Sequence, residues 1–181
     1  MRKLTHDEIA RRRFSIEALK KEERFPISVL LDNIRSLYNV GSIFRTADGA
    51  RITKLYLCGY TPYPPRKEIE KTALGATSSV PWEYGKDPVK ILRSLKDEGV
   101  EICVLEQTDR SVPYFSHPHT THPLCLVVGN EITGVSKEII ALADSAIEIP
   151  MYGMKQSLNA AVALGIALFA LLGRSTPDRH Q

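Results

Sequence analysis

Ile149-Pro150-Met151-Tyr152-Gly153-Met154-Lys155-Gln156-Ser157-Leu158-Asn159 joins a short apolar strand pattern to a helix of small residues, Ala160 to Leu172. A proline, a glycine, a serine and an asparagine are crowded into the junction. Such a junction leaves backbone N–H and C=O groups beside a helix N-terminus, where a ligand can use them. Upstream, Leu124-Cys125-Leu126-Val127-Val128 has the pattern of a buried strand and empties into Gly129-Asn130-Glu131-Ile132-Thr133-Gly134. Two junctions of this kind in one C-terminal segment predict a binding cleft at the ends of strands.

Working outward, strand-like runs recur at 27–31, 55–58, 80–82, 101–105, 124–128 and 146–149. Helical patterns fall between several of them, at 43–49, 89–98, 137–143 and 158–172. Alternating strands and helices, with strands that are apolar throughout, predict an α/β fold. Its mostly parallel sheet is covered by helices on both faces. Thr5-His6-Asp7-Glu8 has capping-box spacing and predicts one helix from Thr5 to about Glu22, packed on the domain by Ile9, Phe14, Ile16 and Leu19. The expected organisation is a basic arm over 1–25, a domain over 26–173 and a loose tail over 174–181. There is no G-x-G-x-x-G after the first strand and no G-x-x-x-x-G-K-[ST] anywhere. This argues against a standard dinucleotide fold and a P-loop hydrolase.

The 181 residues suit one domain with a real core. No apolar run approaches the roughly 20 residues that span a bilayer, and the start lacks an apolar stretch of signal-peptide kind. The chain therefore reads as cytoplasmic. Cys58, Cys103 and Cys125 sit in apolar strand runs without C-x-x-C spacing, and read as buried free thiols. Net charge is only +3, but Arg2, Lys3, Arg11, Arg12, Arg13, Lys20, Lys21 and Arg24 cluster before Pro26. That cluster reads either as a phosphate-tracking arm or as a solvated helix face with Glu8, Glu17, Glu22 and Glu23 nearby.

A third segment, Asn39-Val40-Gly41-Ser42-Ile43-Phe44-Arg45-Thr46-Ala47, follows the strand Val29-Leu30-Leu31-Asp32. With the two C-terminal junctions it resembles the three motifs of the SpoU/TrmH-type RNA ribose methyltransferases, of the SPOUT class. The resemblance runs from about Ile27 to Leu172. It implies a trefoil knot near the C-terminus, which nothing in composition or periodicity reveals. It also implies S-adenosylmethionine as methyl donor, a ribose 2′-hydroxyl of tRNA or rRNA as acceptor, and a homodimer built on the C-terminal helix. One departure stands out: Ile132 follows Glu131, where the family commonly has glycine.

The same resemblance assigns residues. Gly129, Ile149, Met151 and Leu158 suit a backbone-lined cofactor pocket, with Leu105 and Glu106 as a further wall. The plain alternatives are turn glycines and core packing. Arg45 matches the catalytic position. Arginine holds its proton too tightly to be an ordinary general base. Arg45 would therefore either be made unusually acidic by desolvation and neighbouring cations, or bind the adjacent phosphate and stabilise the forming alkoxide. Its bland reading is a surface arginine paired with Asp48. Glu131 would orient Arg45 or Asn39. Asn159 would fix ribose or phosphate, and Ser157 would cap the last helix, contact phosphate, or both.

His117, His119 and His122 invite a zinc reading, but the prolines beside them make a loop the default and no metal is expected. Two other functions compete with the enzyme: a non-catalytic RNA-binding module that kept the fold, and a small phosphate-handling hydrolase. The first needs no such polar constellation, and the second lacks its phosphate loop. The last helix, 158–172, is apolar almost all round, so a partner must cover what the sheet does not; Ala163 and Ala167 are its expected outer positions.

Overall fold

Seven strands pair in parallel in a computed structural model that describes residues 1–19, 21–118 and 123–175. In chain order they are β1 (Ile27–Asp32), β2 (Leu55–Cys58), β3 (Trp82–Gly85), β4 (Glu101–Leu105), β5 (Val112–Pro113), β6 (Leu124–Val128) and β7 (Ser145–Glu148). Across the sheet the order is β3-β2-β1-β6-β4-β7-β5. The helices are α1 (His6–Ala10), α2 (Ile16–Leu19), α3 (Leu37–Gly49), α4 (Lys67–Ala73), α5 (Pro88–Asp97), α6 (Lys137–Ile140) and α7 (Ala160–Ser175).

Strand residues alternate between two cores, as the two-residue period requires. Val29, Leu31, Leu55, Leu57, Leu126 and Val128 face one side, with α3, α4 and α7. Leu30, Ile102, Val104, Cys125 and Val127 face the other, with α5 and α6. Because β1 and β6 are buried on both faces, they read as unbroken apolar runs. The three cysteines lie in these strands, and burial pushes each thiol up to about 12. Thiolate is the reactive form, so iodoacetamide is expected to label no cysteine in the native protein and all three after unfolding; mass spectrometry of the alkylated chain reads the difference.

Chain order and spatial order part company at one place. The chain runs outward from β1 to β3, then recrosses to lay β4, and only later inserts β6 between β1 and β4. Strand order reverses there, and in open parallel sheets the crevice beyond the carboxyl ends at such a reversal is where ligands bind.

Several elements differ from the sequence expectation. The N-terminal helix is two short helices, not one. The Thr5–Glu8 capping box is present, with Glu8 N donating to Thr5 Oγ1 at 3.3 Å and Thr5 N donating to Glu8 Oε2 at 2.8 Å. After α1, however, the chain turns through 11–13, and Ser15 Oγ accepts from Ala18 N to start α2. Neither helix buries a residue. The arm is tied down by Arg24, whose guanidinium donates to the carbonyls of Ile52 and Ser79, and by Arg51, which pairs with Glu22 and lies over the Phe14 ring. The third strand begins at Trp82, two residues past Val80, which is core but unpaired because Pro81 has no N–H to give a ladder.

Helix α3 starts at Leu37, six residues before the predicted start, with Ser36 Oγ accepting from Asn39 N. It passes through Gly41, where a Cβ would stand 2.0 Å from Thr72 Oγ1 and 2.3 Å from the Ile69 carbonyl. Glycine there lets α3 and α4 touch. Helix α4 and strand β5 were not foreseen. The first follows a proline-rich loop, and the second is a two-residue edge strand containing a proline. Helix α7 runs on to Ser175, past the expected end at Leu172; the rest of the expected tail, 176–181, lies outside the described residues.

Candidate active site

The carboxyl ends of β4, β6 and β7 and the start of α7 surround a cleft of about 210 Å³. All six residues expected to meet the cofactor line it: Leu105, Glu106, Gly129, Ile149, Met151 and Leu158. Glu131 and Ser157 line it too.

Its most constrained wall is the turn after β6. Asn130 and Gly134 exchange two backbone hydrogen bonds of 3.0 Å, and Gly134 sits at φ +70°. Asn130 Oδ1 accepts from the N–H groups of Ile132 and Thr133. Its amide nitrogen donates to the Asn33 carbonyl at 2.7 Å and to the Tyr60 hydroxyl oxygen at 2.8 Å. The turn therefore closes without a glycine after Glu131, and Ile132 projects into solvent. A Cβ on Gly129 would meet Gly134 C and Val135 N at 2.2 Å, so the first residue of the turn has no room for a side chain. Below it, Glu106 accepts from Val135 N and Gln107 N, both at 2.9 Å.

Glu131 joins this wall to α3. Its carboxylate accepts from Arg35 N at 2.9 Å, Ser36 N at 3.0 Å and Asn39 Nδ2 at 2.9 Å. Burial alone would raise its pKa, but those donors outweigh burial and lower it. At neutral pH Glu131 is an ionised acceptor and a poor base. Asn39 Oδ1 in turn accepts from Asn159 Nδ2 at 3.0 Å. The three motifs, far apart in sequence, are thus one hydrogen-bonded chain, Glu131–Asn39–Asn159. Of the two partners expected for Glu131, the structure gives Asn39.

Asn159 also settles the cap of the last helix. Its Oδ1 accepts from Ala161 N and Val162 N, so Asn159, not Ser157, caps α7. Ser157 is exposed at the cleft rim.

Arg45 lies elsewhere. It is six residues past Asn39, and at about 100° per residue the two leave α3 in different directions. Arg45 borders a separate groove with Ser42, Thr46, Lys71, Leu74 and Phe169. Its expected partner Asp48 instead accepts from the Ser79 hydroxyl. Among the described residues Arg45 makes no ion pair or side-chain hydrogen bond. The buried face of α7 is Ala160, Leu164, Ala167, Leu168, Leu171 and Leu172. Ala167 is therefore core and Ala163 lines the cleft, not the outer face as expected. The outward residues are Val162 and Phe169, each 52% exposed.

Of the histidines, His117 is buried, with Nδ1 at 3.0 Å from the Pro118 carbonyl and Nε2 at 3.1 Å from Ser145 Oγ. His119 and His122 lie outside the described residues. Sequence reading also missed Asn130 and Tyr60. Asn130 had a signal, an Asx residue beside a turn glycine; Tyr60 had none.

A model of the SpoU rRNA Methylase family matches residues 26–169. A curated relative, tRNA (guanosine(18)-2′-O)-methyltransferase of Aquifex aeolicus, is 39% identical over 154 residues, 84% of this chain and 71% of its own. The crystal structure of the A. aeolicus TrmH/SpoU tRNA modifying enzyme superposes with a TM-score of 0.78 at 35% identity, covering 88% of this chain and 81% of that one. The AdoMet-bound rRNA methyltransferase of Sinorhizobium meliloti gives 0.79 at 28% identity, covering 88% and 61%. With such relatives, a parallel sheet carrying this cleft at its carboxyl edge is that of an S-adenosylmethionine-dependent RNA methyltransferase. It is a catalyst and not a binding module that merely kept the fold. The chain belongs to the SpoU rRNA methylase family.

Proposed function

We propose that the protein methylates a ribose 2′-hydroxyl of tRNA. The observation that carries this is the bonded chain Glu131–Asn39–Asn159 at the rim of a cleft suited to the donor. The fit is chemical: Leu105, Ile149 and Leu158 offer aliphatic faces for an adenine, and peptide groups around Gly129 and Met151 offer hydrogen bonds. The volume is below the roughly 300–1,000 Å³ of ordinary ligand sites, so a molecule of this size must also use the open mouth.

S-adenosylmethionine supplies a methyl group on sulfonium. When bound, it would give that methyl to the ribose oxygen and leave as the neutral thioether with the S–C electron pair, while the hydroxyl proton would pass to solvent or a basic group. Glu131 holds Asn39, Asn39 holds Asn159, and these amides are left to orient the ribose. Arg45, with no internal partner among the described residues, pairs with the phosphate beside the reacting ribose and stabilises charge growing on its oxygen. Relatives named for tRNA support tRNA over rRNA as the substrate, and work in the cytoplasm is part of the same reading; among the described residues no helix is long and apolar enough to cross a membrane. Residues 26–173 form the catalytic body, where family membership also supports the knot. The 1–25 arm meets RNA through Lys3, Arg11, Arg12, Arg13 and Lys21, none of which has an ion-pair partner among the described residues. Labelled donor should give 2′-O-methylnucleosides in digested tRNA transcripts and not in rRNA. Label in a base, or none in tRNA, overturns the reading.

The same reading includes a homodimer through α7. Val162 and Phe169 face outward and Phe169 lines the Arg45 groove, so a second copy seated on them would bring one subunit's Arg45 to the other's cleft. Val162→Glu and Phe169→Glu are expected to turn a dimer into monomers by sedimentation equilibrium, and to lose methyl transfer with it. A monomeric wild type that methylates tRNA removes the composite site.

A further inference from the structure

We propose that Tyr60 is the platform on which the base of the methylated nucleotide stacks. This deepens the tRNA reading and rests on it. Tyr60 follows β2, at the carboxyl edge of the sheet that holds the cleft. Its backbone N–H donates to Asn33 Oδ1 at 3.0 Å, and its hydroxyl oxygen accepts from Asn130 Nδ2 at 2.8 Å. Asn130 lines the cleft and gives its other amide hydrogen to the Asn33 carbonyl. Tyr60 is thereby fixed at both ends to the turns after β1 and β6. Gly59 before it stands at φ +65°, and a Cβ there would lie 2.0 Å from Asn33 Oδ1, so the chain bends tightly to set this position.

A side chain so firmly held is ordinarily buried, yet Tyr60 is 61% exposed. Neighbouring aromatic rings are already engaged. Tyr63 lies 4.5 Å from Tyr84 and 6.5 Å from Trp82, centroid to centroid. Among the described residues Tyr60 has no aromatic partner. The result is a rigid, unpaired ring at the mouth of a cleft that must receive a ribose. RNA bases in loops unstack readily and are held on such rings. A ribose that enters the cleft carries its base to the rim, where the Tyr60 face receives it. The hydroxyl is occupied with Asn130, so the ring, not the hydroxyl, meets the base, and Tyr60 is a positioning residue.

The test compares wild type, Tyr60→Phe and Tyr60→Ala with an unmodified tRNA transcript. Methyl-transfer kinetics, RNA binding by fluorescence anisotropy and S-adenosylmethionine binding by calorimetry are measured for each. Stacking on one base is worth about five- to a hundred-fold in affinity. Tyr60→Ala should raise the KM and Kd for tRNA by that order, with donor binding unchanged. Tyr60→Phe should stay within about twofold of wild type. If phenylalanine loses as much as alanine, the hydroxyl's hold on the turn is the whole role and the platform is refuted. An unchanged KM in the alanine variant also refutes it. A wild type that binds tRNA through the Tyr60 ring but transfers no methyl group sinks the functional reading alone. A wild type that does not bind tRNA sinks both.

Discussion

Arg45→Ala is expected to lower kcat for methyl transfer by about 10²–10³-fold or more, the size seen when a charge-stabilising donor is removed. Donor affinity should stay near wild type, because Arg45 borders a groove separate from the cleft. Arg45→Lys should recover little, since an ammonium cannot offer the planar fork that suits a phosphate. Single-turnover assays with saturating tRNA, set beside calorimetry with S-adenosylmethionine, measure the two effects separately. A lysine variant at near-normal turnover removes the argument from the fork. Loss of donor binding in the alanine variant would place Arg45 in the wrong site.

Gly129→Ala should abolish donor binding. The added methyl would sit 2.2 Å from Gly134 C and Val135 N and 2.5 Å from the Gly134 carbonyl oxygen. All three are backbone atoms, so no side chain can turn aside. The turn must open, disturbing Glu131 and the Asn130 bonds that hold its shape. Overpacking of this kind costs about 1–3 kcal/mol of stability, a modest fall in Tm. The larger effect is on the cleft, whose wall is displaced. Calorimetry with S-adenosylmethionine and a thermal melt check both, and wild-type donor affinity in a folded variant would exclude the turn from the cofactor site.

The sheet and most of the cleft were legible because their signals are local. Apolar runs marked buried strands, and glycine with Asx or serine residues marked their ends. Leu105, Glu106, Gly129, Ile149 and Met151 each sit within a few residues of such an end and Leu158 just before α7, while their assignment to a cofactor came from the family resemblance. Element limits were less legible where tertiary contact overrides propensity. Gly41 would weaken an isolated helix, but here it is the point at which α4 touches α3. Three arginines in sequence looked like a helix face and instead mark a break in it. The cap of α7 was misassigned because serine and asparagine both cap helices; only coordinates show which side chain reaches Ala161 N. Tyr60 was invisible, since its importance lies in a bond to a residue 70 positions away. Likewise, Ala163 and Ala167 were expected to face outward, but Ala167 packs in the core and Ala163 lines the cleft, which leaves Val162 and Phe169 outside.

The late insertion of β6 bears on how the chain is made. During synthesis β1 and β4 emerge well before β6, and each is bonded to it along nearly its whole length. Until about residue 128 leaves the ribosome, both strands have an open, apolar edge facing the gap. An edge of that kind recruits strands from other chains, and pairing over such sequence distances is slow. A nascent chain arrested just short of Leu124 therefore presents both of these edges to other chains and to chaperones. One strand, arriving late, closes that gap and at the same moment delivers Gly129 and Glu131 to the cleft.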